Sequence, residues 1–68
     1  MNKNILTSRE KEVFDLLICN KTTKEIAIIL NISEKTVRNH ISNVIQKLEV
    51  NTRYQAVIEL VKLDELKI

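Results

Sequence analysis

The chain has no glycine and no proline, and its 68 residues hold one cysteine, one histidine, no tryptophan and two aromatic side chains, Phe14 and Tyr54. Each absence excludes something. Strands need turn punctuation, and the β-branched residues here follow helical spacing, so the fold class is all-α. A lone Cys19 rules out an internal disulfide. No apolar run approaches the ~20 residues of a membrane span, and the Met-Asn-Lys start lacks the apolar core of a signal peptide. A reduced, cytoplasmic location is therefore expected. Residues 1–68 make one small domain, and a chain this short buries only about 60% of the surface its unfolded form exposes.

Acid is missing too, but only locally. From Lys35 to Leu48 there is no Asp or Glu at all. On a helical wheel at about 100° per residue, Val37, Ile41, Val44, Ile45 and Leu48 share one arc. Lys35, Arg38, Asn39, Ser42 and Gln46 share another. A helix held by one apolar stripe and showing a row of long basic and amide side chains has what major-groove reading requires. Net charge is only +2, but residues 21–53 carry six bases against three acids, so the excess sits on the segment that contains this helix.

Helix starts announce themselves through their caps. Thr7 with Glu10, Thr22 with Glu25 and Thr52 with Gln55 fit the capping box, and Ser33 is a fourth N-cap, with Glu34 favoured in the first turn by the helix dipole. Four starts predict a four-helix bundle with a central helix-turn-helix, the helices running roughly over 8–19, 23–30, 34–48 and 53–65. Asn20 suits a left-handed C-cap in place of glycine. Residues at the extreme N-terminus should be loose.

Core candidates follow from spacing: Val13, Leu16 and Leu17 on the first helix, with Phe14 at its edge; Ile26, Ala27 and Leu30 on the second; Ile32 plugging the turn. On the last helix Ala56, Leu60 and Leu63 lie on one arc, and Tyr54, Val57, Ile58 and Val61 on another. One arc can close the core. The other is either covered by the N-terminal segment or by Leu66 and Ile68, or it is a self-complementary patch that makes a two-fold dimer, which is the favoured reading.

The residues Leu6-Thr7-x-Arg9-Glu10-x-Glu12-Val13, Lys24-Glu25-Ile26-Ala27-x-x-Leu30-x-Ile32-Ser33-x-x-Thr36-Val37-Arg38-x-His40 and Lys47-Leu48-x-Val50-x-x-Arg53-x-x-Ala56-Val57 resemble the LuxR/FixJ-type helix-turn-helix family over nearly the whole chain. Within that family TTKEIA, ISEKTVRNHISN and QAVIEL are similar to a free-standing late-sporulation regulator of spore-forming bacteria. Most members carry a receiver or ligand-sensing domain in front, so regulation by synthesis is expected here. The resemblance implies that the third helix enters the major groove and the fourth dimerises. It also implies base-edge contacts from Arg38, Asn39 and Ser42, and phosphate contacts from around Thr23, Lys24, Lys35, Thr36 and Lys47. The family often has glycine where Asn20 and Glu49 stand. A left-handed Glu is costly, so the turn into the last helix is expected to take a different shape.

Residue by residue, Lys35, Arg38, Asn39 and Ser42 are the expected base readers. Arg38 can pair bidentately with guanine and Asn39 with adenine. Arg38 could instead lay its stem over Ile45, and Asn39 could be a solvated amide. Thr23, Lys24, Thr36 and Lys47 are the expected phosphate contacts, although either lysine could pair with an acid on its own helix. Tyr54, Ile58 and Val61 are the expected dimer contacts.

His40 and Cys19 are far apart in sequence and too few for a zinc site, so no metal, cofactor or catalytic residue is expected, nor a small-molecule ligand. Cys19 reads as a semi-buried small hydrophobe. Glu10, Glu12 and Asp15 resemble a cation- or polymerase-binding cluster, but capping and a solvated face explain them as well and are preferred. The expected partners are double-stranded DNA, a second copy of the chain and, behind these, RNA polymerase. The rival reading is a helix-turn-helix scaffold used only for protein contact, as an adaptor or anti-regulator. Against it stands the acid-free polar face, where a protein-binding helix would show aromatic anchors.

Overall fold

A computed structural model describes residues 5–67, and everything described there as regular structure is helical. The expected looseness of the extreme N-terminus (residues 1–4) and the covering role offered to Ile68 lie outside the described residues. The elements are α1 (Ser8–Ile18), α2 (Thr23–Leu30), α3 (Glu34–Leu48) and α4 (Arg53–Lys62). Helix α3 packs against each of the other three, and α1 also packs against α2. The third helix is thus the axle of the domain.

All four starts are capped at the expected residues. The Thr7 and Thr22 hydroxyls accept from the backbone N–H of Glu10 and Glu25, whose carboxylates accept from the cap backbones in return. Ser33 Oγ accepts from the Thr36 N–H at 3.0 Å. The box at Thr52 is only half formed. Its hydroxyl accepts from the Gln55 N–H, but the Gln55 side chain accepts from Asn51 instead, at 2.8 Å.

The ends show how a glycine-free chain stops a helix. Asn20, Asn31, Glu49 and Asp64 all take φ between 57° and 67°. Beyond each, the next N–H reaches back five residues: Lys21 to Leu16, Ile32 to Ala27, Val50 to Ile45 and Glu65 to Leu60. This is the Schellman arrangement, which satisfies carbonyls a helix end leaves free. Asn and Asp tolerate that conformation through their short polar side chains; Glu does so at a greater cost. The expectation that the turn at Glu49 would be shaped differently is therefore corrected. Glu49 is left-handed, at φ 57° and ψ 42°, because two reverse hydrogen bonds and the half-buried Leu48 and Val50, packed against the core on either side, hold it there.

Leu6, Val13, Phe14, Ile26, Ala27, Val37, Ile41, Val44, Ala56, Leu60 and Leu66 form one buried core. Three expectations are corrected. Phe14, expected at the edge of its helix, is fully buried in the core cluster, since the bulkiest apolar side chain gains most from leaving water. Leu63, expected in the core, is 44% exposed. Helix α4 stops at Lys62, short of the expected 65; the chain turns at the left-handed Asp64, and Leu66, whose N–H reaches back to the Leu60 carbonyl, is buried in the core instead. Cys19, expected to be semi-buried, is exposed at the C-cap of α1.

Candidate nucleic-acid interface

The third helix owes its orientation to its own stripe. Val37, Ile41 and Val44 are buried, with Ile45 and Leu48 half-buried beside them. A residue on the opposite arc has nowhere to go but solvent. Lys35, Arg38, Asn39 and Ser42 are accordingly all exposed, as are Asn43 and Gln46 further along. The four expected base readers thus lie on one face, within about two turns of the helix start.

Two groups near that start are engaged. Arg38 Nη1 lies 3.3 Å from Glu34 Oε1, one helical turn earlier, with both side chains partly exposed. Thr36, half-buried, accepts from the Ser33 hydroxyl at 2.9 Å through its own Oγ1. Thr23 and Lys24 occupy the first turn of α2, Thr23 half-buried and Lys24 exposed. Helices α2 and α3 pack together, and Lys24 and Glu34 line one open concavity between them, so Lys24 lies near the head of α3.

Lys47 stands apart, some 18 Å along the helix axis from Lys35 at about 1.5 Å per residue. Its ammonium donates to Glu10 Oε1 at 2.6 Å and to the Ile5 carbonyl at 3.0 Å. Glu10 is only 4% exposed. Burial by itself would raise its pKa. The hydrogen bond and charge of Lys47, with the Thr7 backbone N–H and hydroxyl, outweigh burial and hold the carboxyl below its ordinary value. Sequence reasoning recognised Glu10 as a cap and Lys47 as a basic residue, and missed that they are partners. They are 37 positions apart in the chain, so no helical spacing could show it.

Of the remaining acids of the first helix, Glu12 pairs with Arg9 at 3.0 Å and Asp15 with Lys11 at 3.1 Å. They lie on the solvated face the sequence suggested, and the structure adds that each is neutralised by a base on its own helix. His40 is half-buried on the flank of α3. No three His, Cys, Asp or Glu side chains come together to hold a metal ion among the described residues.

On α4, Tyr54 and Ile58 are 76% and 57% exposed, whereas Val61 is half-buried against the core. Tyr54 and Ile58 line an open apolar groove together with Leu17, Ile18 and Val57, with Arg53 at its edge. The expected dimer residues are therefore split between an open surface and the core margin.

Residues 4–60 match the family described as bacterial regulatory proteins, luxR family. Over 67 residues, 98% of this chain and 90% of the relative, the sequence is 63% identical to the spore germination protein GerE of Bacillus subtilis (strain 168). It is 48% identical to the transcriptional regulatory protein DegU of Brevibacillus brevis, covering 96% of this chain but 28% of that protein. A solved structure of the transcription factor GerE superposes with a TM-score of 0.93 at 58% identity, covering 96% of this chain and 97% of the other. With the capped helix-turn-helix, its exposed basic face and these likenesses together, the chain belongs to the LuxR family of bacterial transcriptional regulators, whose helix-turn-helix binds DNA.

Proposed function

We propose that the protein acts as a homodimer that recognises a roughly palindromic operator, one copy of α3 in the major groove of each half-site. Residues 1–68 serve as a single DNA-binding domain. Lys35, Arg38, Asn39 and Ser42 read base edges; Thr23, Lys24 and Thr36 contact phosphates, as does the free donor capacity of Lys47. The observation that carries this reading is the acid-free exposed arc from Lys35 to Gln46, opposite a stripe that fixes the helix in the fold. The dimer rests on the exposed pair Tyr54 and Ile58 and the groove beside them, with Val61 at its margin. Half-sites then lie about 10 bp apart, or a multiple of it.

Its likeness to the spore germination protein GerE supports a role in late-sporulation gene control, in the cytoplasm of the mother cell, with RNA polymerase as the machinery it influences. No helix among the described residues is long and apolar enough to cross a membrane. The reading invokes neither cofactor nor small-molecule ligand.

The test is a genome-wide selection of DNA fragments by the purified protein at two salt concentrations, with sedimentation to give its mass in solution. A motif with paired half-sites and a dimer mass support the reading. Salt-sensitive binding without a motif reduces it to a generic DNA binder. Absence of binding favours the adaptor.

A further inference from the structure

Glu34 is the one acid in α3, and it sits at the head of a helix whose exposed face is otherwise basic, amide or hydroxyl. Electrostatics alone would leave it out of a surface built to approach phosphate. The helix dipole gives it one reason to be there. Its position gives another: Glu34 Oε1 lies 3.3 Å from Nη1 of Arg38 across one turn, while Lys35 between them makes no ion pair among the described residues. The acid is directed at the arginine rather than shared among the bases.

A guanidinium has five N–H donors in a rigid fork. One bond from Nη1 to Glu34 leaves four, and a bidentate contact with guanine O6 and N7 uses two. The pair and the base contact are therefore compatible. A phosphate, by contrast, would bring its own negative charge up to the same guanidinium, beside a carboxylate already there. Repulsion between the two full negative charges opposes that contact, while the base edge, net neutral and carrying only partial charge on O6 and N7, meets much less.

We propose that Glu34 is a specificity-determining residue: by holding the Arg38 guanidinium through Nη1, it presents the remaining fork to a guanine edge and disfavours its capture by backbone phosphate. This rests on the reading of Arg38 as a base reader. The carboxylate acts through the arginine, so its removal strengthens indiscriminate binding more than it strengthens operator binding. An exposed pair of this kind contributes at most about fivefold in water, so the expected change is modest and is read as a ratio.

Affinities are measured for the fragment enriched in the selection and for a shuffled duplex of equal length and base composition, at one salt concentration. The variants are Glu34→Gln, Glu34→Asp, Arg38→Ala and the double variant Glu34→Gln with Arg38→Ala. Circular dichroism melts fix a temperature at which all are folded. Glu34→Gln should narrow the operator-to-shuffled ratio about two- to fivefold, mainly by tightening the shuffled duplex. Glu34→Asp, which keeps the charge within reach of the arginine, should stay near the parent ratio. In the Arg38→Ala background, Glu34→Gln should shift both duplexes by the same factor. The inference is overturned if Glu34→Gln moves both duplexes equally with Arg38 present, or narrows the ratio just as much without it. A ratio lost in Glu34→Asp as well would also overturn it. If Arg38→Ala itself leaves the ratio unchanged, the base-reading role falls and this inference with it. If Arg38→Ala narrows the ratio and Glu34→Gln does not, only this inference falls.

Discussion

The two ends of α3 are built on opposite plans. At the leading end, Lys35, Arg38, Asn39 and Ser42 stand in solvent, and the one pair there joins neighbours on the same helix, Glu34 and Arg38. At the trailing end Lys47 reaches across to another helix, closing on a nearly fully buried Glu10 and on the Ile5 carbonyl. A pair between neighbours on one helix orients a side chain; a pair between distant segments fixes a helix. Charge orients a side chain of the proposed reading surface at one end and braces the scaffold at the other, within fifteen residues of one element.

The largest effect should come from removing what both ends depend on. Leu60→Ala, at a fully buried site, should cost toward 5 kcal/mol, whereas Leu30→Ala, half-buried, should cost closer to about 2 kcal/mol. Urea titrations of the two variants check the order, and equal costs would mean that burial does not rank these sites.

Next is the trailing end itself. Lys47→Met leaves a buried carboxylate with only the Thr7 donors and should lower stability by about 1–3 kcal/mol. Arg38→Ala at the leading end should change stability by less than about 0.5 kcal/mol. A Lys47→Met variant as stable as Arg38→Ala would erase the contrast between the ends.

Acid should weaken the trailing end selectively. Glu10 is held below its ordinary value of 4.5 in the folded state, so its contribution is complete above that pH. It is lost as pH falls through the lowered value. Thermal melts between pH 6 and pH 2, ranges of about this width being set by the same linkage, should show a steeper acid decline for the parent than for Glu10→Gln. Parallel declines would mean that the carboxylate does not act as the structure indicates.

Smallest in free energy, yet sharpest on function, are the proposed DNA contacts. Lys24→Ala should weaken operator and random duplex alike and reduce the logarithmic salt slope by about 1, while Arg38→Ala should narrow the difference between the two duplexes. Filter binding or fluorescence anisotropy across a salt series separates the two; identical behaviour would remove the division of labour between α2 and α3.

Much of this was legible in the sequence, for reasons that are local. The caps at Thr7, Thr22, Ser33 and Thr52 act within three residues, so spacing alone revealed every helix start. The apolar stripe of α3 fixed which side chains face solvent. What escaped notice is non-local. Phe14 lies at the border of a periodic pattern, and only the space left between α1 and its neighbours makes it central. Leu63 was assigned to the core on the assumption that α4 continues; the left-handed Asp64 ends that continuity and brings Leu66 in instead. Lys47 resembled any surface base until its partner 37 residues away came into view. Family resemblance supplied the roles of Arg38, Asn39 and Ser42; the structure adds that all three are free of the core, and that Arg38 is already held from one side.

The caps close each helix on itself at both ends, and the exposed arc of α3 gives nothing to the interior. Lys35, Asn39 and Ser42 can therefore be exchanged without disturbing what holds the helix in place. On the base-reading roles proposed for them, binding preference and foldability vary separately in this chain. The exposed arc can then change one side chain at a time, each intermediate still folded.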